Sequence, residues 1–533
     1  SFAYTRTNLL TRAAIDTDTL QPADIDDRQQ FWITAHIPDD AEPGTYSAPV
    51  TVVPANAPSM ELTLEIRVPD LELLPPTFEY SVYYPAFLDG GREPWITPSH
   101  TYAQLSDTQY INEMRNMVAH GLTNPNFYTG VSVNPDGSLD FALLEEYISL
   151  REQAGMSFQG NPLYLPDNPL LIVQRDLTPE EYARNVDYTT QIVAWASQKG
   201  YGDVYFIAND EASPSGLLAE RDSFQSIHDG GGKVWVSVQN SDYFASAGDL
   251  LDAPVLQHPG ALLWDQGAQE VMAQEYLLNP EDMESYYDPE LLMTPDMQSM
   301  IDSVHQNGFK LFTYMDPTGG QALPEVHRRS RGLGLWKVGL DGTMTWAYTH
   351  IAGNDVSYAD FDPSEDTLPH LIGSLVFRGE EAPFDTLGWE GFREGVDDAR
   401  YLATLLEAMA AATALGEHTA LVSQTQQWLD SLDVHADLDA MRQEMAGRIE
   451  MLAILAPEID LQGNGQSIAD GDTTPATTDH TDFGDADVDA GSVIRTFTIE
   501  NTGDADLNLA GTPLVDVTGT HAGDFTVTQI PTT

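Results

Sequence analysis

The chain has 533 residues, enough for two or three domains with sizeable hydrophobic cores. Its charge is extreme, because 83 acidic residues stand against 23 basic ones and give a net charge of −60. Such a surface repels nucleic acid and anionic membranes, since phosphate binding requires clustered Lys and Arg. We interpret the charge as an adaptation to high salt, which screens the self-repulsion, with a polycationic partner as the alternative.

The cysteine and histidine content limits the kinds of functional site that the chain can form. The absence of cysteine excludes disulfides, thiolate–metal sites and a cysteine nucleophile. The 13 histidines show no H-E-x-x-H or other ligand spacing, so we predict neither a metal site nor a cofactor. No apolar run approaches the roughly 20 residues of a membrane span.

In the N-terminal part, apolar and polar residues alternate with the period of two that is typical of β-strands. "QFWITAHIPDDAEPGTYSAPVTVV" and "SMELTLEIRVPDLELLPP" predict strands joined by Pro/Asp/Gly turns. We therefore predict a small β-sandwich over residues 1–76, which the Pro75-Pro76 pair ends.

The central part, residues 77–405, alternates short apolar strands with longer helical patterns. The predicted strands cover 78–88, 122–128, 157–165, 203–210, 233–239, 253–258, 310–316 and 342–349. About eight βα units over this length predict a (β/α)8 barrel of the TIM type. A doubly wound sheet is the competing architecture, but no strand is followed by a G-x-G-x-x-G loop or a P-loop.

The C-terminal part predicts helices over 406–456 and a partial immunoglobulin-like β module over 457–533. In that module, "VIRTFTIENTGDADLNLAG" is typical of a hairpin with an Asn-Thr-Gly-Asp turn. The chain begins without Met and ends inside a strand pattern, "TVTQIPTT". We interpret it as a fragment of a longer protein, in which a missing targeting signal says little.

Two adjacent acids, Asp210 and Glu211, follow the fourth predicted strand in "VYFIANDEASPS". Side chains at the C-terminal ends of barrel strands line the active site, and the Ala-Ser-Pro-Ser that follows supplies a turn. When two carboxyl groups lie this close, the pKa of one is raised and the other stays ionised. Glycoside hydrolysis uses such a pair, a protonated acid and a carboxylate in one site. A solvated turn is the plain alternative.

An adjacent pair suits substrate-assisted hydrolysis, in which the 2-acetamido oxygen of the sugar attacks the anomeric carbon. An ordinary retaining glycosidase would instead take a nucleophile from another strand, and Asp265 and Asp316 are its candidates. A non-catalytic carbohydrate-binding or structural surface protein is the third possibility.

Aromatic and amide side chains lie at other strand ends, where rings stack on sugars and polar groups fix their orientation. They are Tyr83, Tyr84, Asn124, Asn240, Tyr314, Trp346 and Tyr348. Each could instead pack in the core.

The chain resembles glycoside hydrolase family 123, the β-N-acetylgalactosaminidase-like enzymes with an N-terminal β-sandwich and a (β/α)8 barrel. The resemblance rests on "FWITAHIPDDAEPGTYSAPVTV", "AHGLTNPNFY", "VYFIANDEA", "LWKVGLDGTMTWAYTHIAGNDVSYADFDP" and "WEGFREGVDDARYL". It implies that Asp210 stabilises the acetamido group, that Glu211 is the general acid/base and that Tyr314 binds the acetamido oxygen. Arg329 and Trp346 match further positions at the barrel mouth.

From this we predict an extracellular or cell-surface hydrolase that releases terminal β-linked N-acetylhexosamine, N-acetylgalactosamine in particular, from a glycan. The predicted substrate-binding residues are Asn240, Tyr314, Arg329, Trp346 and Tyr348. One departure concerns the sugar: Gly388 stands where the family pattern has Arg. The tail after about residue 458 resembles the immunoglobulin-like repeats of bacterial surface proteins, and the oligomeric state stays open.

Overall fold

The protein is described by a computed structural model. The described residues are 33, 35, 37–38, 40–90, 103–165, 171–172, 176–207, 209–210, 212–238, 243–256, 295–313, 324–349, 375–378, 382–415, 418–453, 457–487, 489, 491–503 and 507–531.

The strands are short in the centre of the chain and longest near its N-terminus. In chain order they are β1 (Gly44–Val52), β2 (Met60–Val68), β3 (Glu79–Val82), β4 (Ala86–Leu88), β5 (Ala103–Leu105), β6 (Ser132–Val133), β7 (Leu139–Asp140), β8 (Leu163–Leu165), β9 (Val204–Ile207), β10 (Lys233–Val238), β11 (Ala253–Leu256), β12 (Phe312–Thr313), β13 (Gly342–Thr345), β14 (Val376–Phe377), β15 (Phe384–Asp385), β16 (Ile459–Gly463), β17 (Gln466–Ile468) and β18 (Phe497–Asn501).

The helices alternate with the central strands and then dominate the chain after residue 386. They are α1 (Asp107–Ala119), α2 (Ala142–Gln153), α3 (Pro179–Lys199), α4 (Pro214–Ala219), α5 (Arg221–Asp229), α6 (Tyr243–Ala247), α7 (Pro295–Gln306), α8 (Pro324–Arg331), α9 (Leu333–Val338), α10 (Leu387–Leu415), α11 (Thr419–Asp430) and α12 (Leu438–Ala453). A 3₁₀ turn covers Ala522–Asp524.

Local signals explain where these helices begin and end. In α3, the side chain of Thr178 accepts from the backbone N–H of Glu181 while the Glu181 side chain accepts from Thr178, and Pro179 takes the first helical position. Gly200 ends the helix at φ 95°, a left-handed conformation that glycine adopts without strain. Ser106 and Gln109 form the same reciprocal cap at the start of α1.

A parallel sheet curls around the centre of the protein. Its seven strands lie in the order β3-β13-β12-β11-β10-β9-β8, and every neighbouring pair is parallel. Strands that follow one another along the chain are therefore neighbours from β8 to β13, and β13 returns to β3. This is the TIM-like (β/α) barrel that the sequence predicts.

The eighth position in the barrel belongs to an irregular segment, residues 122–128, between β3 and β8. The backbone N–H of Asn126 donates to Val82 of β3 at 3.2 Å, and that of Phe127 donates to Tyr164 of β8 at 3.1 Å. Pro125 has no N–H, so a regular ladder cannot form here. The predicted second strand thus occupies its place and closes the barrel without becoming a regular strand.

The guanidinium of Arg151, on α2, supports this irregular segment. It donates to the carbonyls of Pro125 at 2.5 Å and Asn126 at 2.8 Å, and to the Tyr110 hydroxyl at 2.9 Å. Its Cζ lies 3.4 Å from the centre of the Phe127 ring. Arg151 is only 5% exposed, and these charge-assisted bonds are what make a buried guanidinium tolerable.

Strand periodicity divides the barrel side chains between two clusters. Those that face the interior are largely aromatic: Tyr83, Tyr164, Tyr205, Trp235, Ala253, Val255, Phe312, Met344 and Ala347. Their neighbours along the strands, among them Val82, Tyr84, Val204, Phe206, Val234 and Val236, pack outward against the helices. The barrel is therefore filled by side chains rather than open.

The chain divides into two compact units. One includes Leu74–Ala403 and Val434–Leu438, and contains the barrel. The other includes Ala35–Leu73, Thr404–Asp433 and Asp439–Thr533. The boundaries 76, 405 and 456 stay predictions.

The second unit contains two antiparallel sheets, one formed by β1 and β2 and one in the order β17-β16-β18. Of the predicted N-terminal sandwich, the described residues give the β1–β2 pair, whose Arg67 bonds both carboxylate oxygens of Glu450 at 2.7 and 2.6 Å. In the C-terminal module, β18 forms as predicted but pairs with β16. The hairpin partner predicted after the Asn-Thr-Gly turn is not a strand over 507–510, and residues 504–506 lie outside the described part.

Arg151→Met is expected to destabilise the barrel by about 2–4 kcal/mol, because the carbonyls of Pro125 and Asn126 would lose their charged donor while staying buried. Urea unfolding followed by far-UV circular dichroism measures the free energy of unfolding. Arg115→Met, an exposed arginine of α1, is the matched control and should change it by less than about 0.5 kcal/mol. Equal effects of the two substitutions would contradict a closing role for Arg151.

Candidate functional site

Asp210, the first acid of the predicted catalytic pair, lies just beyond the C-terminal end of β9, the fourth strand of the barrel. Val204, Tyr205 and Phe206 are buried, and the chain then leaves the strand through a bend at Asn209 and a turn at Asp210. Asp210 is exposed, and Glu211 lies outside the described residues. The strand end that the sequence predicts for this pair is thus the one that carries Asp210.

The turn after Asp210 leads into a short capped helix. The hydroxyl of Ser213 accepts from the backbone N–H of Gly216 at 3.2 Å, and Pro214 takes the first position of α4. The predicted turn at Ala-Ser-Pro-Ser thus leads directly into a helix. A change of direction here is what two neighbouring carboxylates need if both are to reach one pocket.

A buried acid that the sequence analysis missed supports this turn. Glu220, between α4 and α5, is 2% exposed, and its Oε2 accepts from the backbone N–H of Asn209 at 3.3 Å. Burial raises the pKa of Glu220 from its ordinary value of 4.5 to about 7, against the lowering effect of its hydrogen bonds with Asn209. Glu220 thus holds the residue directly before Asp210. Nothing in the local pattern distinguishes it from the other acids of this chain.

Aromatic rings extend from the interior toward the end of β13. Trp346 is half-buried, and its ring centre lies 5.3 Å from that of Tyr83, which in turn lies 5.4 Å from Trp235. Rings in this position offer the flat apolar faces on which sugars stack.

Two buried donors on β10 add to the interior surface. Within the part of the chain that the structure describes, Trp235 Nε1 and Ser237 Oγ have no hydrogen-bond partner. Both residues lie on one face of the strand, two positions apart, and Trp235 belongs to the interior cluster.

The structure does not bring Tyr348 or Arg329 together with Asp210. Tyr348 is fully buried in the outer cluster, and its hydroxyl donates to Asn116 Oδ1 of α1 at 2.8 Å. Arg329, on α8, is 6% exposed and donates to the Val434 carbonyl at 3.0 Å. Both placements are packing positions, so they disfavour the predicted sugar contacts.

The remaining candidates fall elsewhere. Asn240, Tyr314, Asp265 and Asp316 lie outside the described residues. Gly388, where the family pattern has Arg, is buried in the first turn of α10.

A group with the composition of a metal site lies in the helical layer. Among the described residues, His120, Asp385 and Glu390 place one ligand atom each within 4.8 Å of one another. The histidine spacing in the sequence gave no sign of it, because His120 lies far along the chain from Asp385 and Glu390. The described helices include none that is both long and apolar enough to cross a membrane.

The fold and the strand-end acid define a protein of the TIM-barrel class. Among solved structures, the chain is similar to a family 123 glycoside hydrolase from Clostridium perfringens, with a TM-score of 0.50 and 13% identity over 78% of each chain. That protein was studied for the hydrolysis of glycolipid glycans. The likeness confirms the family 123-like fold.

Other solved structures align at lower TM-scores. A GH5-4 endoglucanase from Clostridium acetobutylicum gives 0.32, with 10% identity over 60% of this chain and 96% of that one. The catalytic domain of GH30 xylanase C from Talaromyces cellulolyticus also gives 0.32, with 12% identity over 62% and 77%. No family model and no curated protein sequence matches the chain.

Glu220→Gln is expected to stabilise the protein above neutral pH. Because the pKa of Glu220 is about 7 in the folded state and about 4.5 when unfolded, the folded protein holds the extra proton between these values. Stability from this group is therefore present below about pH 4.5, falls as the pH rises to about 7 and stays lost above it. Gln stays neutral and keeps an acceptor for Asn209.

Urea unfolding at about pH 4 and about pH 8 tests this, with an expected gain of about 2–3 kcal/mol at the higher pH and little at the lower. Glu152→Gln, at an exposed position of α2, is the control. A gain of the same size at both pH values would contradict the proton linkage.

Proposed function

We propose that this protein is a retaining glycoside hydrolase that releases terminal β-linked N-acetylhexosamine, N-acetylgalactosamine in particular, by substrate-assisted catalysis. The observation that carries the proposal is the position of Asp210. It is an exposed acid at the end of the fourth strand in a barrel with a family 123-like fold. The C-terminal ends of the strands are where TIM-barrel enzymes place their catalytic groups.

The reaction requires two carboxyl groups with different protonation. The acetamido carbonyl oxygen of the sugar attacks the anomeric carbon while Glu211 gives its proton to the leaving oxygen, so the glycosidic bond breaks and an oxazolinium ion forms. Asp210 accepts the hydrogen bond of the acetamido N–H and stabilises the positive charge. Water then attacks the anomeric carbon and returns a proton to Glu211, which restores the sugar with retained configuration.

The surroundings supply binding surface for such a sugar. Trp346 offers a half-exposed ring at the edge of the aromatic interior. Tyr314, predicted at the end of the seventh strand, is proposed to bind the acetamido oxygen, and Asn240, predicted just after the fifth, to orient the sugar. Such glycans are found on glycoconjugates outside cells, so we infer an extracellular or cell-surface location.

A panel of aryl β-glycosides of GalNAc, GlcNAc, Gal and Glc tests the substrate class, assayed at low and high salt. We expect turnover of the acetamido sugars alone, and inhibition by a thiazoline that mimics the cyclised intermediate. Turnover of a neutral sugar with none on GalNAc or GlcNAc would refute the mechanism and favour an enzyme nucleophile such as Asp265 or Asp316.

Substitution of the two acids separates their roles. Glu211→Gln is expected to lower kcat/KM about 10²–10⁴-fold for alkyl glycosides and much less for nitrophenyl glycosides, whose leaving group needs no proton. Asp210→Asn is expected to lower it for both classes. Asp222→Asn, an exposed acid on α5, should leave both unchanged. Glycan binding that survives in both variants, with no hydrolysis by the natural chain, would show a binding protein instead.

A further inference from the structure

The three residues that could bind a metal ion, His120, Asp385 and Glu390, lie where α1 and α10 come together. His120 follows the last residue of α1, Asp385 ends β15, and Glu390 lies in the first turn of α10. His120 Nε2 is 3.7 Å from Asp385 Oδ2 and 3.8 Å from Glu390 Oε1. These separations are too long for hydrogen bonds. His120 is 4% exposed, and its Nε2 has no hydrogen-bond partner among the described residues.

Each of the three side chains is fixed through its other polar atom. His120 Nδ1 lies 2.8 Å from the backbone carbonyl of Asn116, which can only accept, so Nδ1 carries a proton. Asp385 Oδ1 accepts from Asn116 Nδ2 at 2.7 Å, and Glu390 Oε2 accepts from Arg393 Nε at 3.1 Å. Bonds of this kind orient the ligands of a metal ion and set the histidine tautomer. They turn Nε2 toward the two carboxylates.

Asn116 is itself held in place. Its Oδ1 accepts from the Tyr348 hydroxyl and from Trp389 Nε1, both at 2.8 Å. The Trp389 ring stacks on His120 with ring centres 4.7 Å apart and 17° between the planes. The imidazole therefore has a fixed orientation before any ligand arrives, which lowers the entropic cost of binding.

The Glu390 carboxylate shares its bonded cation with other acids. Besides Glu390, Arg393 bonds Glu394 at 2.6 Å and Asp397 at 3.4 Å, so one guanidinium serves three acids. The group thus combines a lone pair with excess negative charge.

We propose that His120 Nε2, Asp385 Oδ2 and Glu390 Oε1 bind a divalent transition-metal ion of the Zn²⁺ type. In a tetrahedral site with bonds of about 2.0–2.2 Å, ligand atoms are roughly 3.4 Å apart, and His120 Nε2 lies 3.7 and 3.8 Å from the two carboxylate oxygens, close to that separation. The imidazole favours Zn²⁺ over Ca²⁺ and Mg²⁺, which prefer oxygen ligands alone. The ion would join α1 to α10 and stabilise the helical layer. It takes no part in the proposed hydrolysis.

Metal content after dialysis tests the site. The protein is dialysed against limiting Zn²⁺ in a large excess of Mg²⁺, which occupies exposed carboxylates, and bound zinc is measured by mass spectrometry. We expect one equivalent, lost in His120→Gln and in Glu390→Gln. His305→Gln is the matched control, because His305 is an exposed histidine whose Nε2 faces a single acid, Asp341, at 2.9 Å. It should retain the full equivalent.

Binding of Co²⁺ in place of Zn²⁺ gives a spectroscopic test on the chain without mutations. Bound Co²⁺ with one nitrogen and several oxygen ligands is expected to show visible absorption bands that Zn²⁺ displaces, and Zn²⁺ should raise the melting temperature. No bound zinc in the natural chain, or equal zinc in the natural chain and His120→Gln, would overturn the proposal. Hydrolysis of aryl glycosides is measured separately, so failure of one proposal leaves the other intact.

Discussion

The closure of the barrel depends on one guanidinium. A parallel barrel is stable only when no strand edge is left unpaired, and here the position between β3 and β8 is filled by a segment that contains Pro125. Two backbone N–H groups of that segment reach the neighbouring strands, while Arg151 binds two of its carbonyls from the side of α2. The irregular stretch thereby meets the hydrogen-bonding requirement of a strand without the geometry of one.

Strand alternation then assigns the two candidate sites to different faces of the same sheet. Tyr83 faces the interior while Tyr84 packs outward. Beyond the end of β13, where alternation no longer applies, Trp346 borders the interior and Tyr348 reaches α1. The inner face offers rings and donors at the strand ends, as glycan chemistry needs. The outer face fixes Asn116 and, through it, the side chains of the proposed metal site.

Much of the barrel follows from local sequence patterns, because short apolar runs and capped amphipathic helices are local properties. The order of strands and the position of Asp210 after the fourth were predicted in this way. Glu220, Arg151 and the group around His120 were missed, since their roles arise from tertiary contacts that no local pattern shows. For the same reason, Tyr348 and Arg329 were assigned to the mouth, although each lies in packing between layers. The pairing of β18 with β16 likewise depends on a partner that no turn signal specifies.

The closing segment also has a consequence in time. Val82, Pro125, Arg151 and Tyr164 all come from one early stretch of the chain, so the irregular quarter of the barrel can assemble from near neighbours at low loop-closure cost. The regular ladder between β13 and β3 joins Gly342 to Glu79 and spans most of the barrel sequence. The irregular pairing of residues 122–128 with β3 and β8 can therefore form early in folding. The regular β13–β3 ladder can form only after the rest of the barrel sequence is in place.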